Sequence, residues 1–224
     1  MRRMLHLARA ILLVVALAFV AGCASLSQQR DHAQRAELLA LLQTLNADLL
    51  SHDSATLTLE HWCADHRLAE PARIVAQRAH GPAKAIPEDL RARLSIDAAE
   101  PIAYRHVQLM CGDHVLSEAD NWYVPGRLTA AMNEQLENSD EPFGKVVKPL
   151  GFRRQTLTAE LLWSPLPAHW EMITAPPARE PLRIPHFVLR HQAVLYSSAQ
   201  QPFSVVVESY THALFDFRRW DMPR

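Results

Sequence analysis

Apolar and polar residues alternate most cleanly from Tyr104 to Leu109, where Tyr104, His106 and Gln108 interleave with Arg105, Val107 and Leu109. Period two predicts a strand with one buried face. Gly112-Asp113 supplies a turn and Val115–Val124 returns as the second strand of a hairpin that closes at Pro125-Gly126. Before this hairpin the period is helical. Leucines 38, 39, 41, 42, 45, 49 and 50 follow Asp31, Arg35 and Glu37, which predicts an amphipathic helix over 31–50 with an acidic first turn. Asp53 or Ser54 caps a second helix over 55–64, with Leu57, Leu59 and Trp62 toward the core. Pro71 interrupts any helix over 67–78 and leaves a strand around 73–78, and 88–94 reads as a short helix or turn.

Beyond the hairpin, Leu128–Leu136 is helix-like, Pro142-Phe143-Gly144 is a turn, and Gln155–Trp163 alternates again. Ser164–Pro185 contains six prolines and predicts an extended excursion. His186–Leu195 and Phe203–Tyr210 are two more strands around a polar turn at 197–201. The run Val205-Val206-Val207 marks a central strand buried on both faces. Helices first and hairpin-joined strands afterwards predict an α+β fold, an antiparallel sheet with helices packed on one side.

The first residues change the picture of where this domain sits. Arg2, Arg3 and Arg9 precede an apolar run, Ala10–Val20, that is short for a membrane span and ends in Val20-Ala21-Gly22-Cys23. This is the pattern of a bacterial lipoprotein signal. It predicts cleavage after residue 22, lipidation of Cys23, a linker over 23–34 and one domain over 35–224. Ala24 after the cysteine favours the outer membrane, on its periplasmic face. The chain carries 23 Lys+Arg against 24 Asp+Glu, and residues 1–22 hold three of the arginines and no acid. The remainder is mildly acidic, which excludes a polybasic grip on nucleic acid or anionic lipid. Membrane contact is expected through the lipid alone.

Cys63 and Cys111 form either a disulfide, as export allows, or two buried thiols. His61, Cys63 and His66 do not fall on one helical face at metal-ligand spacing, so no metal is expected. No Gly-x-Ser-x-Gly elbow, phosphate-cradling glycine loop or dinucleotide fingerprint is present. Two features carry chemistry. Glu208 ends the most apolar strand; either it is a buried carboxylate, which then needs a partner, or the strand has already reached the surface at Ser209. Of Arg105 and His106, one faces inward, and an inward arginine suits a small carboxylate whose two oxygens match its fork of donors. Arg153, Arg154 and Arg190 are weaker candidates of the same kind.

Several of these features occur in an order that resembles the chorismate pyruvate-lyase family. The early helix start Asp53-Ser54-Ala55-Thr56, the strand with Arg105, Leu109, Cys111 and Asp113, the Val124-Pro125 and Pro142-Phe143-Gly144 segments, and the final strand with Glu208 all take part. The resemblance spans roughly residues 35–215. It implies a monomer with a pocket under loop flaps and a cofactor-free reaction, in which chorismate loses pyruvate and its ring aromatises to 4-hydroxybenzoate. Arg105 and Glu208 are then the catalytic positions. His106, Ala55, Phe143, Gly144 and Arg154 are the substrate-binding ones, and the partner is a small aromatic carboxylate. Counted back from Cys111, His106 stands at the family's arginine position and Arg105 one residue away, so a bulge is expected if Arg105 is to face the pocket. The alternative is a non-catalytic envelope lipoprotein that keeps the pocket to bind such an acid.

Overall fold

The structure is a computed structural model that describes residues 29–79, 81–97, 99–172 and 181–218. The signal segment and Cys23 lie outside the described residues. None of the described helices is long and apolar enough to cross a membrane.

The chain divides into two compact units. In the first, residues 29–41 of a long helix (α1, 29–51) meet the proline-rich excursion, whose described parts are 165–172 and 181–183. Leu38, Leu166 and Leu182 are buried there. Arg35 links Asp31 at 2.9 Å to the Pro165 carbonyl at 3.1 Å. The described parts of the excursion therefore pack against this helix segment.

The second unit, Leu42–Ser164 with Ile184–Arg219, contains one six-stranded sheet. The strands are β1 (Ile74–Arg78), β2 (Ala103–Cys111), β3 (His114–Tyr123), β4 (Arg153–Leu161), β5 (Phe187–Tyr196) and β6 (Pro202–Thr211). They lie in the order β1-β2-β3-β6-β5-β4, antiparallel throughout. The valine-rich β6 is central, as its composition predicts. The α+β expectation is met.

Helices α2 (Ala55–Asp65), α4 (Ala130–Asn138) and the four-residue α5 (Phe143–Val146) lie on one face of the sheet. The period-3.6 pattern explains what each buries. Met132 and Leu136 of α4 and Val146 of α5 close over Tyr123, Leu195 and Phe203. In α2, Ala55, Leu59, Trp62 and Cys63 are buried. Ser54 is its N-cap and accepts from Leu57 N–H at 3.3 Å. Short α3 (Glu88–Arg93) sits on the reverse face, where Leu90 and Leu94 cover Trp122, Val194 and Val205.

Most element boundaries move by one or two residues from the sequence reading, and two of these differences bear on the site. Pro142 to Gly144 is the start of α5, because Pro142 holds φ near −61° and pre-forms the helix entry. β4 begins two residues early, at Arg153, which places Arg154 inside the sheet.

Bulges shift the register at four places. Leu116 is an extra residue in β3 opposite β2, Leu157 an extra one in β4 and Val188 one in β5, while Phe203 in β6 turns inward beside Leu195. The hairpin turn at Gly112 has φ +55°, and an added Cβ there would lie 2.7 Å from that of Ala69, so this position requires glycine.

Cys63 and Cys111 are disulfide-bonded, with Cα atoms 6.4 Å apart. The bridge fastens α2 to β2 across 48 residues of chain. Closing a loop of that length restricts the unfolded chain by about 4 kcal/mol. We expect reduction, or the double change Cys63→Ser/Cys111→Ser, to lower the urea midpoint by a corresponding amount. Equal denaturation curves with and without reductant would contradict this.

Candidate functional site

On β2, Arg105, Val107, Leu109 and Cys111 are buried and the residues between them are partly exposed. The alternation is unbroken, so Arg105 faces the helix-covered side with no bulge in its own strand. His106 faces the reverse side, where its Nδ1 lies 2.8 Å from Asp120. The expectation that His106 binds substrate is therefore corrected: strand periodicity turns it away from the pocket.

The bulge in β3 matters differently. From the Cys111–His114 pair, a regular hairpin would set Asp120 opposite Arg105 and neutralise it. The extra residue Leu116 advances the register by one, so that Arg105 faces Asn121 and Asp120 falls opposite His106. Asp120 is then held on the reverse face by Tyr104 at 2.6 Å, Lys84 at 2.7 Å and His106.

The helix-covered face encloses a cavity whose empty space, its mouth included, is about 520 Å³. Its walls are apolar, from Val107, Leu109, Ala119, Val206, Phe143 and Phe152. Arg105, Asn121, Arg154 and Glu208 supply the charged and polar lining, together with the start of α2 at Asp53–Thr56. Ala55, Phe143, Gly144, Arg105, Arg154 and Glu208 are thus brought together as the sequence suggested; Arg190 lies elsewhere, on the reverse face, and its Nε donates to Ser209 at 3.3 Å.

Each group has an identifiable restraint. Arg105 is only 4% exposed. Its terminal nitrogens donate to the carbonyls of Ser139 (3.4 Å) and Glu141 (3.2 Å), and its Nε is buried without a protein partner. No carboxylate pairs with it among the described residues. Burial, and secondarily the charge of Arg78, lower its pKa to about 10, so it remains a cation at neutral pH.

Arg154 and Glu208 form a buried ion pair, Nη2 to Oε2 at 2.5 Å. Burial pulls the Arg154 pKa down, but Glu208, with Tyr210 and Asp53, together offset it and the net shift is upward. Tyr210 donates to the same carboxylate oxygen at 3.1 Å, and burial, then that carboxylate, raises its own pKa well above the ordinary value. Arg154 is further positioned through its backbone N–H, which donates to Asp53 Oδ1 at 2.8 Å and so ties the start of β4 to the start of α2.

At that start, the first N–H groups of α2, on Ala55 and Thr56, have no carbonyl within the helix and carry the positive end of its dipole. Gly144 packs against them so closely that an added Cβ would lie 3.2 Å from Ser54 Oγ and 3.3 Å from Thr56 Oγ1. Among the described residues no His, Cys, Asp and Glu cluster is arranged to hold a metal ion.

Sequence reasoning missed Asn121, Tyr210 and His191. A one-residue bulge hides Asn121. His191 is fully buried on β5, with Nε2 2.8 Å from Asn46 Oδ1. A period-two reading of Leu189, His191 and Ala193 could have found it.

The fold and cavity define an α+β protein with an enclosed, arginine-lined pocket. In sequence the chain is 55% identical over 186 residues to the uncharacterized protein y4mC of Sinorhizobium fredii (strain NBRC 101917 / NGR234), covering 82% of this chain and 78% of that one. It belongs to the family of that protein. No protein-family model matches it.

Among solved structures it is similar to the effector domain of PhnF from Mycobacterium smegmatis (12% identity, TM-score 0.45, 71% of this chain and 89% of that one). It is also similar to the ligand-binding domain of a putative GntR-family transcriptional regulator from Bordetella bronchiseptica (17% identity, TM-score 0.39, 62% and 83%).

Burial, and the charge of Arg154, depress the His191 pKa to about 4, against an opposing effect of Glu208. The native imidazole is neutral while the unfolded one titrates near 6.5. The unfolded chain therefore binds more protons between these values, and stability is complete above about pH 6.5 and falls as the pH drops toward 4, by up to about 3 kcal/mol. Thermal melts across this range should show the decline. His191→Gln should flatten it, and an unchanged pH profile in that variant would refute the assignment.

Proposed function

We propose that the domain binds a small aromatic carboxylate in this cavity. The observation that carries the reading is Arg105, a buried cation that no carboxylate pairs with among the described residues, on the floor of an apolar-walled cavity. Burying a charge is costly unless something compensates for it. Carbonyl groups satisfy its terminal nitrogens only in part. A carboxylate supplies the missing charge, the α2 N-terminus adds donors for an anion, and the apolar walls accept a ring.

Isothermal titration with benzoate and 4-hydroxybenzoate should show saturable binding. Arg105→Gln should weaken it by about 100-fold or more, the size expected when one member of a buried charge pair is truncated. The absence of heat with every aromatic acid tried would end this reading.

One observation favours a second, catalytic reading. Arg105 and Glu208 line the same cavity, as the resemblance to chorismate pyruvate-lyases requires. In that reading Arg105 anchors the ring carboxylate. Glu208 stands on the side from which the enolpyruvyl group departs as pyruvate, and the ring aromatises without a cofactor. Binding is placed first for two reasons. Glu208 is already held by Arg154 and Tyr210, and the predicted lipoprotein signal directs the chain away from the cytoplasm, where chorismate is made. Incubation with chorismate separates the two readings: pyruvate and 4-hydroxybenzoate released in equal amounts, and lost in Glu208→Gln, would establish the lyase. No product would leave binding alone.

A further inference from the structure

Arg105 and Asn121 stand directly opposite each other on β2 and β3, in the middle of the cavity floor, and each is only 4% exposed. Side chains at such paired positions have Cβ atoms about 5 Å apart. The donors of each are already partly committed. Arg105 spends its terminal nitrogens on the Ser139 and Glu141 carbonyls and keeps Nε–H. Asn121 has its amide oxygen occupied by the Ser204 hydroxyl, which donates to it at 2.5 Å from the neighbouring β6. An amide whose oxygen is held in this way presents its NH₂.

We infer that Asn121 is a specificity-determining residue that shares the ligand's carboxylate with Arg105, one donor to each oxygen. This rests on the carboxylate-binding reading and sharpens it. Where Arg105 and Asn121 stand opposite each other, donors alone are offered, and such a pair selects an acid over the corresponding primary amide. The amide would turn its own NH₂ toward Arg105 Nε–H or Asn121 Nδ2–H, leaving donors facing each other in a site shielded from water, which is costly. Ser204 is then a positioning residue, acting through the orientation of the Asn121 amide.

Asn121→Asp keeps the shape but replaces the donor by a negative acceptor beside Arg105. It places an acid opposite an arginine, a favourable cross-strand pair, so the variant is expected to fold. The test is titration of wild type, Asn121→Asp, Ser204→Ala and Arg105→Gln with 4-hydroxybenzoate and 4-hydroxybenzamide.

Wild type should prefer the acid. Asn121→Asp should lose about 100-fold in acid affinity, because the new carboxylate repels the ligand's and competes for Arg105, while the amide gains relative to the acid. Ser204→Ala should narrow the acid-to-amide ratio several-fold, since the freed Asn121 amide can then turn either end to the ligand. A merely structural role would lower both affinities together and leave the ratio unchanged.

Acid binding by Asn121→Asp within about threefold of wild type, with Arg105→Gln still weakened, would overturn the role of Asn121 alone. Silence of the wild type toward the acid would overturn the binding reading beneath it.

Discussion

A single extra residue in β3 decides what the cavity is. With Leu116 inserted, Arg105 meets Asn121; without it, Arg105 would meet Asp120 and be neutralised within the sheet. The bulge therefore separates the hairpin's charges into two layers. On the reverse face, Asp120 satisfies Tyr104, His106 and Lys84. On the covered face a cation is left with carbonyl partners and an unpaired Nε. Register is strongly specified because a one-residue slip exchanges the two faces, and here an insertion in the partner strand produces the same separation without disturbing β2.

The second constraint is the Arg154–Glu208 pair. It spans from the edge strand β4 to the central strand β6 across β5, within a face that holds few other charges. A buried pair of this kind adds little net stability compared with apolar packing, yet removing either partner leaves a charge stranded, at a cost of about 3–5 kcal/mol. Its structural effect is to fix which way β4 faces. The Asp53 contact to the Arg154 backbone holds the start of β4 beside the start of α2, and the disulfide fastens the far end of α2 to β2. Two arginines thus share one cavity in different states: Arg154 is neutralised from within the chain and Arg105 is not.

Much of the fold was legible because its pattern is local. Alternation located β2, β3, β5 and β6, the leucine spacing located α1, and Ser54 announced the cap of α2. Placing Glu208 at the end of an apolar strand was enough to flag a buried acid. What escaped was long-range. The start of β4 at Arg153 depends on pairing with β5 and on Arg154 finding Glu208 fifty-four residues away. The choice between Arg105 and His106 follows from strand parity, which the alternation of Val107, Leu109 and Cys111 already contained; comparison with a family pattern kept both members of the pair in play. The identity of the residue facing Arg105 required the bulge, for which Leu116 gives no local signature.

The sheet ends at β4, and that ending has a consequence for the molecule among its neighbours. An outer strand of nine residues, largely exposed, is a ready template onto which a stray β-segment could add. Leu157 breaks this template near its middle: the extra residue puts the outward-facing N–H and C=O groups out of step, so an incoming strand would keep register over only a few residues on either side. The other margin is guarded differently, as the Asp140 carbonyl already occupies the Ala76 N–H of β1. The sheet is thereby finished at both margins by its own chain, which favours a discrete particle over open-ended growth when many copies are crowded together.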